Sequence, residues 1–123
     1  MKIKQAIDRA DKQTPNGYTL EQKIAWLNTL DHMIYNEIIL AHEGYADVTF
    51  NGYDETDIET ELLAPEPYCQ LYVYWLNAKI DEQNDEANRY ANDSAQYNAL
   101  YTEYARWYTR THMPRKVSQA RYF

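Results

Sequence analysis

Residues 19–44 read TLEQKIAWLNTLDHMIYNEIILAHEG, and this stretch decides the fold. Thr19-Leu20-Glu21-Gln22 is a capping-box pattern: the Thr19 hydroxyl and the Gln22 side chain can satisfy the orphan backbone N–H groups of a helix start. From there Leu20, Ile24, Leu27, Ile34, Ile38 and Ala41 recur at helical spacing. Leu30 and Met33 widen that stripe, with Trp26 at its edge, and Gly44 suits the position just past a helix end. The spacing predicts a helix over about 20–43, with one apolar face turned to a core.

Upstream, Ile3, Ala6, Ile7 and Ala10 mark a short amphipathic helix over 2–12, closed by the turn signal Pro15-Asn16-Gly17. Downstream, residues 44–65 form a long loop for so small a chain, and a long ordered loop is often a contact element. Alternation at Val48 and Phe50 predicts a short strand there, paired as a hairpin with the segment around Glu61-Leu63. Pro65 and Pro67 open a third helix, whose apolar face is Tyr68, Leu71, Tyr72, Trp75, Leu76 and Ile80. Tyr90, Tyr97, Tyr101, Tyr104 and Tyr108 then stripe a fourth helix that runs to about Thr111. Positions from Val73 to Tyr104 fit one heptad-like register, yet the polar stretch Asp81–Arg89 favours a break near Asn84-Asp85. Pro114 ends the helical region. The expected fold is therefore mainly α: a small bundle of about four helices over 1–113, a long acidic loop bearing a short β-hairpin, and an extended C-terminal tail over 114–123.

A chain of 123 residues fits one domain. With 13 Tyr, 3 Trp and 2 Phe it is rich in aromatics, which suit half-buried helix faces and interfaces alike. The single Cys69 excludes an internal disulfide, and no window approaches the apolar length of a membrane span. The start MKIKQAIDRADK lacks a secretory apolar run. These features predict a soluble protein made in a reducing cytoplasm. The net charge of −7 is unevenly spread. Residues 42–66 hold eight acids (Glu43, Asp47, Asp54, Glu55, Asp57, Glu59, Glu61 and Glu66) and no Lys or Arg, while residues 110–123 hold Arg110, Arg115, Lys116 and Arg121 and no acid. An acidic body is a poor ligand for phosphates, so general DNA binding is not expected. The acidic loop must face solvent or a basic partner.

Reactive chemistry does not assemble along the chain. His42-Glu43 begins like a zinc-protease helix, but position 46 is Ala where the second histidine belongs. His32, His42 and His112 stand far apart, and Cys69 sits among apolar residues with no basic neighbour to activate it. Asp54, Asp57, Glu59 and Glu61 do not keep calcium-loop spacing. No cofactor, metal or catalytic residue is expected. The tail is more informative: Arg115, Lys116 and Arg121 can steer it toward an acidic surface, and Tyr122 and Phe123 can anchor it.

A capped second helix ending in HEG (42–44), an acidic loop leading to ELLAPEPY (61–68), then LYVYWLNAKID (71–81) and YTEYARWYTRTHMP (101–114) make a pattern that resembles tailed-bacteriophage head–tail adaptor proteins, or connectors. The resemblance spans nearly the whole chain and rests on aromatic and turn positions. It implies a structural virion protein, made in the bacterial host cytoplasm, that assembles at the head–tail interface as a homo-oligomeric ring (a dodecamer). The ring would sit between the portal protein and a stopper or tail-completion protein, with DNA passing through its channel unbound. It implies that Arg115, Lys116, Arg121, Tyr122 and Phe123 reach the portal. It also implies that Asp47, Val48, Phe50, Tyr53, Asp54, Asp57, Leu62 and Leu63 contact a neighbouring subunit or the next ring. Two other classes fit the same composition: a small acidic regulator that binds a basic host protein, and an enzyme whose residues converge only in three dimensions.

Overall fold

The computed structural model describes residues 1–115. Its four helices are α1 (Ile3–Gln13), α2 (Leu20–Ile34), α3 (Gln70–Gln83) and α4 (Ala87–Thr111). Thr19 caps α2 as its sequence predicts: Gln22 N–H donates to Thr19 Oγ1 at 3.1 Å, and Thr19 N–H donates to Gln22 Oε1 at 3.2 Å. Ile24, Leu27, Leu30 and Ile34 then face the core.

The periodicity of α2 does not run on to residue 43. Tyr35–Ile39 form a π turn, in which Leu40 N–H reaches back five residues to the Tyr35 carbonyl at 2.9 Å. A π turn holds one more residue than an α turn, so the side chains beyond it rotate by about 100°. Ile38 and Ile39 are consequently both buried, while Ala41 is exposed. The chain turns away at Gly44, whose φ of 89° lies in the left-handed region.

α3 and α4 are separate helices joined by a tight turn at Asn84–Glu86. Asp85 takes φ 57°, a left-handed conformation that a short polar side chain tolerates, and Glu86 N–H closes the turn on the Asp81 carbonyl at 2.9 Å. The two helices lie antiparallel and make the largest packing in the molecule, with the Trp75 and Tyr97 rings 5.0 Å apart. α1 packs on α3 through Ile3, Ala6, Ile7 and Ala10. The Trp75 indole N–H donates to the Trp26 carbonyl at 2.8 Å and ties α3 to α2. At the far end of α4, Tyr68, Tyr104, Trp107 and Tyr108 form an aromatic layer. The tyrosine stripe is graded: Tyr90 is 39% exposed, whereas Tyr104 is 1% exposed.

The expected β-hairpin is absent; the described residues contain no sheet. Glu61 does pair antiparallel, but with Lys2 rather than with the Val48–Phe50 segment. Ile3 N–H donates to Thr60 O at 3.0 Å, Lys4 N–H to Ile58 O at 2.9 Å, and Leu62 N–H to Met1 O at 2.9 Å. The chain ahead of α1 thereby takes the backbone partners that the hairpin would have used. A second isolated bridge joins His42 to Pro114, flanked by Glu43 N–H to Met113 O and Arg115 N–H to Ala41 O, both 2.8 Å. Among the described residues no helix is long and apolar enough to cross a membrane.

Candidate interaction surfaces

The acidic segment is held in place by one buried carboxylate. Asp31 projects from the last turn of α2 and is wholly inaccessible. It accepts hydrogen bonds from the Tyr53 hydroxyl, from the Tyr72 hydroxyl at 2.6 Å and from Leu63 N–H at 3.1 Å. Tyr72, on α3, also accepts from Ala64 N–H at 2.7 Å. One carboxylate thus ties the middle of the loop, at Tyr53, and its far end, at Leu63, to two helices. Burial raises the Asp31 carboxyl above its ordinary pKa, and its three donors pull the other way. Burial first, then the Asp31 charge, raises the Tyr72 hydroxyl well above the phenolic range, so it stays a donor.

Phe50 is lodged against His32, Tyr35 and Tyr53, with ring centroids 4.7, 5.8 and 5.1 Å away. Between Phe50 and Tyr53 the chain passes close over α2. Gly52 has φ 88°, and a Cβ there would lie 3.2 Å from Asn28 Oδ1, which accepts from Tyr53 N–H at 3.0 Å. Gly52→Ala is expected to cost about 1–2 kcal/mol through left-handed strain and displacement of Asn28, read as a lower urea midpoint at unchanged m-value.

Of the loop residues expected to face a partner, Leu62 is buried in the core, and Val48, Phe50, Tyr53 and Leu63 pack in part against it or against α2. Asp47 and Asp54 point outward and Asp57 is half-buried. Asp54 Oδ1 accepts from Thr56 N–H at 2.8 Å, and Thr56 holds the Asp54 carboxyl below its ordinary range. Glu59 pairs with Lys2 at 3.2 Å, and Glu61 with the amino group of Met1 at 2.9 Å. The apolar side of the segment is spent inside the molecule, and the side left for a partner is acidic.

Two exposed faces of opposite charge result. An open cleft of about 430 Å3 between α2 and the loop is floored by Ile24 and Ala25 and rimmed by Glu21, Asp54 and Glu55. An exposed strip along α4 carries Tyr101 and Ala105 flanked by Arg106 and Arg110. Tyr101 is fixed there by donating to Glu37 Oε2 at 3.0 Å.

Arg115 is engaged within the chain. Its guanidinium lies 4.1 Å over the Tyr45 ring, and Nη1 reaches Leu40 O at 3.4 Å. Lys116, Arg121, Tyr122 and Phe123 lie outside the described residues. Cys69 is buried, and its thiol is pushed up to about 11 by burial and by Glu66, opposite to what a nucleophile requires. His42 is buried, with Nδ1 2.6 Å from Ile38 O and its ring against Tyr108, on which His112 also stacks, while His32 lies against Phe50. No group of three or more His, Cys, Asp or Glu among the described residues is placed to hold a metal ion. Asp31 is the residue that sequence reasoning missed, although it occupies the stripe position between Leu27 and Ile34 where an apolar side chain is due.

The chain matches no protein-family model, no curated protein and no solved structure.

Proposed function

We propose that this chain is a non-enzymatic assembly protein: a head–tail adaptor of a tailed phage that forms a ring between the portal and a stopper or tail-completion protein. The observation that carries the reading is a pair of exposed faces, an acidic cleft beside α2 and a basic strip on α4, each with apolar residues at its centre. Surfaces of opposite sign on one chain favour head-to-tail association of copies, which closes into a ring when the rotation permits. The acid-only outer side of residues 43–66 suits a channel through which DNA slides, because carboxylates repel phosphates. The remaining basic and aromatic residues, Lys116, Arg121, Tyr122 and Phe123, are assigned to portal docking.

The test is assembly with a purified portal, followed by light scattering and electron microscopy. The full chain is expected to form rings on the portal, and the Arg106→Glu/Arg110→Glu variant to stay monomeric. Truncation after Arg115 keeps the bridge to residues 41–43 and is expected to abolish portal capture. Rings from the charge-reversed variant, or portal capture by the truncated chain, would refute the corresponding assignment. The same acidic face favours one rival, a small regulator of a basic host protein. That rival predicts equimolar inhibition of its target regardless of truncation.

A further inference from the structure

Asp81 sits in the last turn of α3 with no accessible surface, and neither of its carboxylate oxygens has a hydrogen-bond donor. A buried carboxylate without a donor costs several kcal/mol, so such a group either finds a cation or is paired with something that carries a proton. The side chain in hydrogen-bonding position against it is the carboxyl of Asp93 on α4. Two carboxylates only accept; one can donate to the other only when protonated. The neighbouring amide is already committed: Asn77 Oδ1 accepts from Thr14 Oγ1 at 3.1 Å, and Asn77 Nδ2 donates to Gln13 Oε1 at 2.8 Å. The buried ammonium of α2, Lys23, is held by both oxygens of Asp11 at 2.9 and 3.1 Å. We propose that Asp81 and Asp93 hold a single proton between them, and that release of this proton is a switch that loosens α3 from α4 at the end of the bundle nearest their turn.

The charged surroundings agree. Toward the α3–α4 turn, Asp81 shares a cleft of about 250 Å3 with Glu82, Asp85 and Glu86, and with the phenol of Tyr90. Toward α1, Asp93 shares a cleft of about 220 Å3 with Gln13, Thr14, Asn77, Asn92 and Arg89. Among the described residues Arg89 is the one cation lining either cleft, and it draws Asp93 toward ionisation. Burial, followed by the hydrogen bond and charge of Asp81, overrides that pull, and the Asp93 carboxyl is pushed up to about 7. A metal ion suits the pair less well. No three His, Cys, Asp or Glu side chains among the described residues are grouped so as to hold one, and a guanidinium lines the approach.

The direction of the pH effect follows. An unfolded Asp titrates near about 4, so between about pH 4 and pH 7 the folded protein keeps a proton that the unfolded chain has released. The stability held in this proton is fully present below about pH 4 and is lost as pH rises through about 7, the reverse of ordinary acid denaturation. Asp31, also raised by burial, adds a component of the same sign, so the pair is isolated by comparison with a variant.

The experiment is a carboxyl-carbon NMR titration of the full chain from pH 3 to 9, paired with urea unfolding over the same range. The Asp93 resonance is expected to titrate near pH 7. In Asp81→Asn the Asp93 resonance is expected to fall back toward the ordinary carboxylate range. Asp93→Asn supplies a permanent N–H donor. Its unfolding constant is expected to lack a factor of up to about tenfold per pH unit that the wild type gains between pH 5 and 7. Titration of the wild-type Asp93 carboxyl near pH 4 would overturn the proposal without any variant having to fold. So would a rise in wild-type melting temperature on adding millimolar CaCl2 or MgCl2 at pH 8 that Asp93→Asn lacks, because the pair would then be a metal site.

Discussion

Asp31→Ala is expected to destabilise the protein by about 4 kcal/mol or more, the largest loss from any single polar substitution among the described residues. The carboxylate accepts three hydrogen bonds in a buried setting, and bonds to a charged group contribute about 1.5–3 kcal/mol each. Removing it strands the Tyr72 hydroxyl and Leu63 N–H away from water, while half-buried Tyr53 can turn outward and recover part of the loss. Asp31→Asn is expected to retain little more stability, since an amide offers one acceptor where two oxygens are used and brings two donors into a group of donors. Urea unfolding measures the loss. Amide exchange distinguishes its origin, because Leu63 and Ala64 should lose protection before the α3–α4 interior does. A loss below about 1 kcal/mol would show that the network is not what holds the loop.

The second large effect is expected at Tyr104. It is 1% exposed and touches Tyr68, Trp107 and Tyr108, so Tyr104→Ala removes a ring from the middle of the aromatic layer and leaves a cavity. Substitutions of this kind cost about 3–5 kcal/mol. Tyr90→Ala, at the exposed end of the same stripe, is expected to change stability by less than about 0.5 kcal/mol. The contrast separates tyrosines that build the core from those left at the surface, a distinction the spacing alone does not make.

Much of the helical order is legible from residue spacing. The Thr19 cap, the stripe from Ile24 to Ile34 and the break at Asn84–Asp85 each follow from local chemistry that acts within a turn or two. What is not legible arises from partners distant in the chain. Val48 and Phe50 alternate as a strand does, but the backbone mate of Glu61 is Lys2, and no periodicity names a mate. The π turn shifts the face of the helix by one residue, so the stripe passes to Ile39 and away from Ala41. The two acids that organise the interior do leave a mark. Asp31 interrupts the α2 stripe, and Asp93 sits among the six residues between Tyr90 and Tyr97. A charge at an apolar position signals a buried polar contact, but its partners, Tyr53, Tyr72 and Asp81, belong to other elements.

The indole of Trp75 is bonded to the main-chain oxygen of residue 26, not to its side chain. Phenylalanine at position 26 therefore leaves that contact intact. Excited at the red edge, where tyrosine does not absorb, a chain carrying Trp26→Phe and Trp107→Phe would report through Trp75 on the packing of the third helix against the second and fourth. The reciprocal chain, with Trp26→Phe and Trp75→Phe, would emit only from the ring cluster beside Tyr68. The molecule thus carries two native optical reporters on separate contacts, and stopped-flow emission can time the closing of each without a foreign dye.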